Sequence, residues 1–172
     1  MDTSNTVDKS TIEQAVAQAV RHVRQWTKQE LSNILKEYRP GQEPPLIIPI
    51  AGHGMLIGNY AIMNDQGLYQ MIYRYNDDQL TFCDRTAAIF YAVCMQIGRS
   101  QLADQIKNCD RDINRLNVEA ERLRYRLKQA VKKRNSMNID LYTSRYQETL
   151  AQLTQRRHHQ EKNLRFAKYN NH

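Results

Sequence analysis

Residues 102–130 read LADQIKNCDRDINRLNVEAERLRYRLKQA. Within them Leu102, Ile106, Cys109, Ile113, Leu116, Ala120, Leu123, Leu127 and Ala130 alternate steps of four and three without a miss. An apolar side chain every three and a half residues draws one stripe down a helix, the a/d seam of a coiled coil. The stripe stops at Arg134, and Asn135-Ser136-Met137-Asn138 reads as a loop. A second periodic run follows through Ile139, Tyr142, Tyr146, Leu150 and Leu153. It continues, more polar, through Arg157, Gln160, Leu164 and Ala167. Two arms of nearly equal length joined by a short loop fold back on each other. At 1.5 Å per residue each arm is about 45–50 Å long, wider than a small core, so the hairpin (residues 100–172) is expected to protrude.

Upstream of the seam, Gly98 suits the end of one helix and Ser100 the cap of the next. The preceding helix, 85–97, starts from an Asp84 cap and is apolar nearly all round, so it is expected at the buried centre. Before it, Leu46–Ile50, Met55–Met63, Leu68–Tyr75 and Leu80–Cys83 are short runs separated by Gly, Asn and Asp. Such spacing predicts a meander of three or four antiparallel strands over 46–83, with Pro49 on an edge. Residues 11–38 carry an apolar stripe from Ile12 to Tyr38 behind a Ser10–Glu13 capping box, which predicts one long helix. Residues 1–10 read as a disordered tail. The expected fold is α+β: a small antiparallel β-meander covered by two helices (a head over 11–99), followed by a long antiparallel coiled-coil-like helical hairpin.

The chain has 172 residues and a formal charge of +7. The charge is uneven: residues 102–172 hold sixteen Lys/Arg and eight Asp/Glu, and residues 1–101 hold nine and ten. A partner drawn by charge would meet the hairpin, and a positive face suits nucleic acid or an acidic protein. Three cysteines, none at CxxC spacing, suggest neither a zinc ribbon nor a redox pair. The polar start, without an apolar signal segment or a lipidation motif, leads us to expect a reducing, non-secretory setting. No stretch approaches the roughly 20 apolar residues of a membrane span, so no membrane partner is expected.

Candidate chemistry is sparse. Gly52-His53-Gly54 with Gly58 resembles a phosphate-cradling loop, but a strand follows where the anion needs a helix N-terminus, so a turn is expected. His158 and His159 are adjacent on a helix, point about 100° apart and do not share a metal. No catalytic set assembles by spacing, a tight meander leaves little room for a substrate pocket, and neither enzyme activity nor a cofactor is expected. Tyr69, Tyr73 and Tyr75 share one strand parity. That face suits base stacking, but packing on the apolar helix is the stronger expectation.

Ile57-Gly58-Asn59-Tyr60-Ala61-Ile62, Gly67-Leu68-Tyr69, Thr86-Ala87-Ala88 opening an apolar helix, and Ser144-Arg145-Tyr146-Gln147-Glu148 in the second arm form a combined pattern. Over about residues 46–165 it resembles a group of small proteins of marine contractile-tailed phages (myoviruses). The resemblance implies a phage origin, a setting in host cytoplasm during infection or in the virion, and other phage structural proteins as partners. It implies no active site.

The expected function is therefore a non-enzymatic structural or assembly protein that self-associates and docks partners through the hairpin. Its contact seam would comprise Leu102, Ile106, Ile113, Leu116, Leu123, Leu127, Tyr142, Tyr146, Leu150 and Leu153. The alternative is a nucleic-acid-binding accessory protein. Its contacts would be Arg122, Arg126, Lys132, Lys133 and Arg134 on one arm, with Arg156, Arg157, Lys162 and Arg165 on the other.

Overall fold

The structure, a computed structural model, describes residues 26–39, 41–42, 48–50, 54–73 and 79–169. It is α+β. Helix α1 (Lys28–Glu37) precedes five strands, β1 (Ile48–Ile50), β2 (Gly54–Ile57), β3 (Tyr60–Asp65), β4 (Leu68–Tyr73) and β5 (Gln79–Phe82). Helices α2 (Arg85–Gln96), α3 (Ser100–Lys132) and α4 (Ser136–Tyr169) follow the strands.

The long N-terminal helix expected over 11–38 does not run through. Thr27 is extended and caps α1, accepting from the Glu30 amide while the Glu30 carboxylate accepts from the Thr27 amide. This reciprocal cap satisfies orphan donors at a helix start, so the local Thr-x-x-Glu signal overrides the apolar spacing that continues across it. Residues 1–25, with Ser10, Glu13 and His22, lie outside the described residues, as do His53 and Tyr75.

The strands form one antiparallel meander in the order β1-β2-β3-β4-β5, so β1, which carries Pro49, is an edge. Among the described residues there are five strands rather than three or four, because Met55–Met63 is two strands joined at Gly58-Asn59. Gly58 has φ +57, and a positive φ at the first turn residue alone matches the tight hairpin turns that suit strand twist. Gln66 and Gly67 both have positive φ, the companion turn type, and join β3 to β4. One sheet face, with Met55, Ile57, Tyr60, Ile62 and Met71, packs into a common core with Phe90, Val93 and Leu35. Tyr69 and Tyr73 are half-buried and pack against the same core. Leu56, Ala61, Met63 and Ile72 on the other face are buried too, which explains why β2 and β3 read as continuous apolar runs.

Helix α2 lies at the centre, with its residues from Ala87 to Cys94 all buried. The Asp84 carboxylate caps it by accepting from the Ala87 amide. Gly98, at φ +86, ends it while the Arg99 amide donates to the Cys94 carbonyl at 2.8 Å. Ser100 does not cap α3. The N-cap position belongs to Arg99, which makes no side-chain cap, because Gly98 and Arg99 are used to close α2.

Helices α3 and α4 have 33 and 34 residues and pack along each other. Their loop is shorter than expected: α4 begins at Ser136, and the Asn135 side chain accepts from the Asn138 amide. Arg134 sits at φ 53 after α3, with the Asn135 amide bonded to the Ala130 carbonyl. This is the left-handed C-terminal cap that glycine usually supplies. Arg134→Gly is expected to raise the unfolding free energy by about 0.5–1 kcal/mol, since a left-handed non-glycine residue costs roughly 1–2 kcal/mol, part of it offset by the greater backbone entropy glycine loses on folding. Chemical denaturation checks it.

Candidate functional site

The hairpin is built upward from its root. Leu102, Ala103 and Ile106 of α3 and Ala167 of α4 belong to the same core as the sheet and α2. Residue 100 therefore begins a helix but does not divide two cores. The far end of α4 is tied down by charge. The Arg99 guanidinium donates to the Ala167 carbonyl at 3.1 Å and lies over the Phe166 ring. The Lys168 ammonium donates to the Tyr38 carbonyl at 2.7 Å. Cations at these helix C-termini satisfy carbonyls that have no intrahelical partner.

One turn further out, Asp110 locks the hairpin to the head. It is 1% exposed and accepts from the Cys83 amide at 2.9 Å, the Asp84 amide at 3.2 Å and the Cys83 thiol at 3.3 Å. Burial pushes its carboxyl above the ordinary range, against the hydrogen bonds that favour the ionised form. Burial and the neighbouring carboxylates, Asp110 foremost, push the Cys83 thiol up to about 12, so it is a poor nucleophile. A carboxyl pKa raised by folding means the folded state favours the proton. Stability from this group is complete below the ordinary carboxyl pKa and falls as pH rises through the raised value. In Asp110→Asn this fall is expected to vanish, which urea midpoints measured from about pH 4 upward would show.

The seam residues of α3 are buried as spaced, with Leu127 half-buried. Cys109, Ile113, Leu116 and Leu153 form a second cluster, with Cys83 packed on it. On α4 the spacing differs from the one expected. Leu150 is 38% exposed, and Thr149 is buried in its place, its hydroxyl donating to the Arg145 carbonyl. The true steps are Tyr142, Tyr146, Thr149 and Leu153, with both tyrosines half-buried. A rigid helix alternates four and three, and the step from Tyr146 to Leu150 breaks that alternation. Leu153→Ala is expected to cost about 2–4 kcal/mol, and Leu150→Ala under about 0.5 kcal/mol, in denaturant unfolding.

Deeper in α4 the seam is polar but satisfied. The buried Gln160 amide donates to the Ile106 carbonyl at 2.9 Å, and the Asn163 amide donates to Gln160 at 3.1 Å. The Cys109 thiol donates to the Arg156 carbonyl. This half of α4 is closed by its own chain and needs no further surface to complete it. Of the expected seam, Leu102, Ile106, Ile113, Leu116, Leu123 and Leu153 are likewise buried within the chain, whereas Leu127, Tyr142 and Tyr146 are half-buried and Leu150 is exposed.

The cations divide by position. Near the root, Arg156 pairs with Asp112 at 3.7 Å and Arg157 donates to Asn117 at 3.1 Å, each across the hairpin, while Lys162 and Arg165 are exposed. Near the tip, Arg122 pairs with Glu119 and Arg124 with Glu121. Arg126, Lys128, Lys132, Lys133 and Arg134 are exposed and have no ion pair among the described residues. The two basic groups lie at opposite ends of the hairpin and form no single patch. Sequence separates cation from carboxylate but does not show which cations are engaged, because Asp112, which pairs with Arg156, and Asn117, which accepts from Arg157, lie on the other arm.

A cleft of about 610 Å3 lies between α1, the sheet and α2, lined by Trp26, Tyr60, Tyr73, Tyr91 and Lys107 among others. The expectation that the meander leaves little room for a substrate pocket is therefore corrected in volume: α1 packs mainly on α2 and α4, and the cleft opens beside it. Burial, with the neighbouring Tyr91 and Tyr73, raises Tyr60 to about 12, which keeps its hydroxyl neutral. His158 and His159 are exposed, and His158 lies 3.9 Å from Glu161. Among the described residues no three His, Cys, Asp or Glu side chains are grouped to hold a metal ion, and no helix is long and apolar enough to cross a membrane.

Compared with protein-family models, curated proteins and solved structures, the chain matches none.

Proposed function

We propose that this is a non-catalytic assembly protein whose head is a rigid base and whose hairpin is a docking arm, joining further copies of the chain. One observation supports this above the others. The large hydrophobic side chains that meet solvent among the described residues, Val118, Tyr125, Val131, Met137, Leu141, Leu150, Phe166 and Tyr169, are all on the hairpin. An apolar patch that stays wet marks a contact surface. Val131, Met137 and Leu141 gather near the tip, where Met137 is 78% exposed. The root is pinned by Asp110, Arg99 and Lys168, so a contact at the tip is held in a fixed direction relative to the head. In the phage setting that the sequence resembles, such an arm would serve in or around a virion, or during its assembly in host cytoplasm.

Light scattering on the full chain at micromolar concentration tests this. The expected mass is a dimer or a larger ring, reduced by the double substitution Met137→Ser and Leu141→Ser. A monodisperse wild-type monomer would overturn self-association.

A further inference from the structure

We infer that the back of α3, from Arg122 to Lys132, seats in the major groove of duplex DNA without reading its sequence. The inference rests on the docking-arm reading and adds a second partner on a different face. At 100° per residue, Arg122, Tyr125, Lys128 and Lys132 fall within an arc of about 120°, centred opposite the seam. Leu123, Leu127 and Ala130 turn toward α4, so this arc points away from the other arm. Tyr125 stands at its middle and is 64% exposed. Arg126 and Lys133 flank one side of the arc and Arg124 the other.

Between residues 122 and 134 there are seven cations and no carboxylate. The acids nearest in sequence, Glu119 and Glu121, are held by Arg122 and Arg124, and Asp140 lies on the other arm. What remains is a convex helical back on which Arg126, Lys128, Lys132, Lys133 and Arg134 have no ion pair among the described residues. A helix of about 10–12 Å diameter fits the major groove of B-DNA, roughly 12 Å wide, where cations on both flanks reach phosphates of both strands. An A-form RNA duplex has too narrow a groove for it. A membrane surface needs a continuous apolar stripe. Here Val118 and Tyr125 are two turns apart, with charged residues between. An acidic protein would need a broad uncharged interface core, and this arc offers Tyr125 alone among its cations.

The test is fluorescence anisotropy of the full chain with a labelled random-sequence duplex over a salt series. Four to six phosphate contacts predict a slope of log affinity on log salt of about −4 to −5. Lys128→Gln with Lys132→Gln should flatten the slope by about 2 and weaken binding about tenfold at low salt. The control pair Lys162→Gln and Arg165→Gln, at the hairpin root, should leave both unchanged. Absence of duplex binding at low salt would overturn the inference. So would equal losses from the two pairs, or tighter binding to single strands, to polyglutamate or to phosphatidylserine vesicles. These exposed substitutions should leave the scattering mass unchanged, so failed DNA binding with an intact oligomer rejects the DNA inference alone.

Discussion

Ile106→Ala is expected to lower the unfolding free energy by about 3–4 kcal/mol, toward the upper part of the range for buried aliphatic truncations. Ile106 is 0% exposed and sits on the hairpin, yet it packs into the core of the head. Its carbonyl accepts from the Gln160 amide, which pins the backbone and keeps the neighbours from collapsing into the cavity. Because the residue joins head and arm, the loss should appear as one shifted urea transition for tyrosine fluorescence and helical circular dichroism alike. Two separated transitions, or a loss under about 1 kcal/mol, would mean that head and hairpin are independent units. Leu127→Ala, half-buried farther along the arm, should cost less.

The second large effect is at Gly58. Its backbone has φ +57, a conformation that L side chains rarely adopt, and an added Cβ would overlap the Gln96 amide. That amide folds over the β2–β3 turn. It donates to the Ile57 carbonyl at 3.0 Å and to the Ala92 carbonyl at 2.9 Å, and accepts from the Asn59 amide at 2.9 Å. Gly58→Ala both strains the backbone and displaces the clamp between turn and central helix. The combined cost is expected at about 2–4 kcal/mol. Gln96→Ala keeps the backbone conformation and removes only the clamp, so it should cost about half as much. If Gly58→Ala proved neutral in thermal melting, the turn geometry would be wrong. A cost for Gly58→Ala no greater than that for Gln96→Ala would assign the whole effect to the clamp.

Much of this architecture is legible in residue order, and the exceptions have physical causes. The seam from Leu102 to Ala130 is plain because every fourth or third residue is apolar and nothing interrupts it. The Asp84 cap and the Gly98 stop are plain because one residue suffices for each. Thr27 and Gly58 are harder, since each is a short local signal inside a longer apolar pattern, and the longer pattern hides it. Leu150 misleads because leucine is apolar whether it faces in or out, and only the partner helix decides that Thr149 takes the seam. Gln160 and Asn163 make the second arm look incomplete, although the Ile106 carbonyl and their mutual hydrogen bond complete it. Of the candidate contact surface, the identity of the cations is legible. Which of them stay free is not, because the ion pair of Arg156 with Asp112 and the hydrogen bond of Arg157 to Asn117 depend on the register between arms.

That register carries the rest: the arm is rigid only if α3 closes on α4 of the same chain. Double electron–electron resonance between nitroxide amino acids at Arg122 and Ser144, both on outer surfaces and opposite each other in the hairpin, measures this with the native cysteines in place. A short separation that persists when labelled protein is diluted into unlabelled protein is the predicted result. A signal lost on dilution, or a separation near the length of an extended arm, would contradict it.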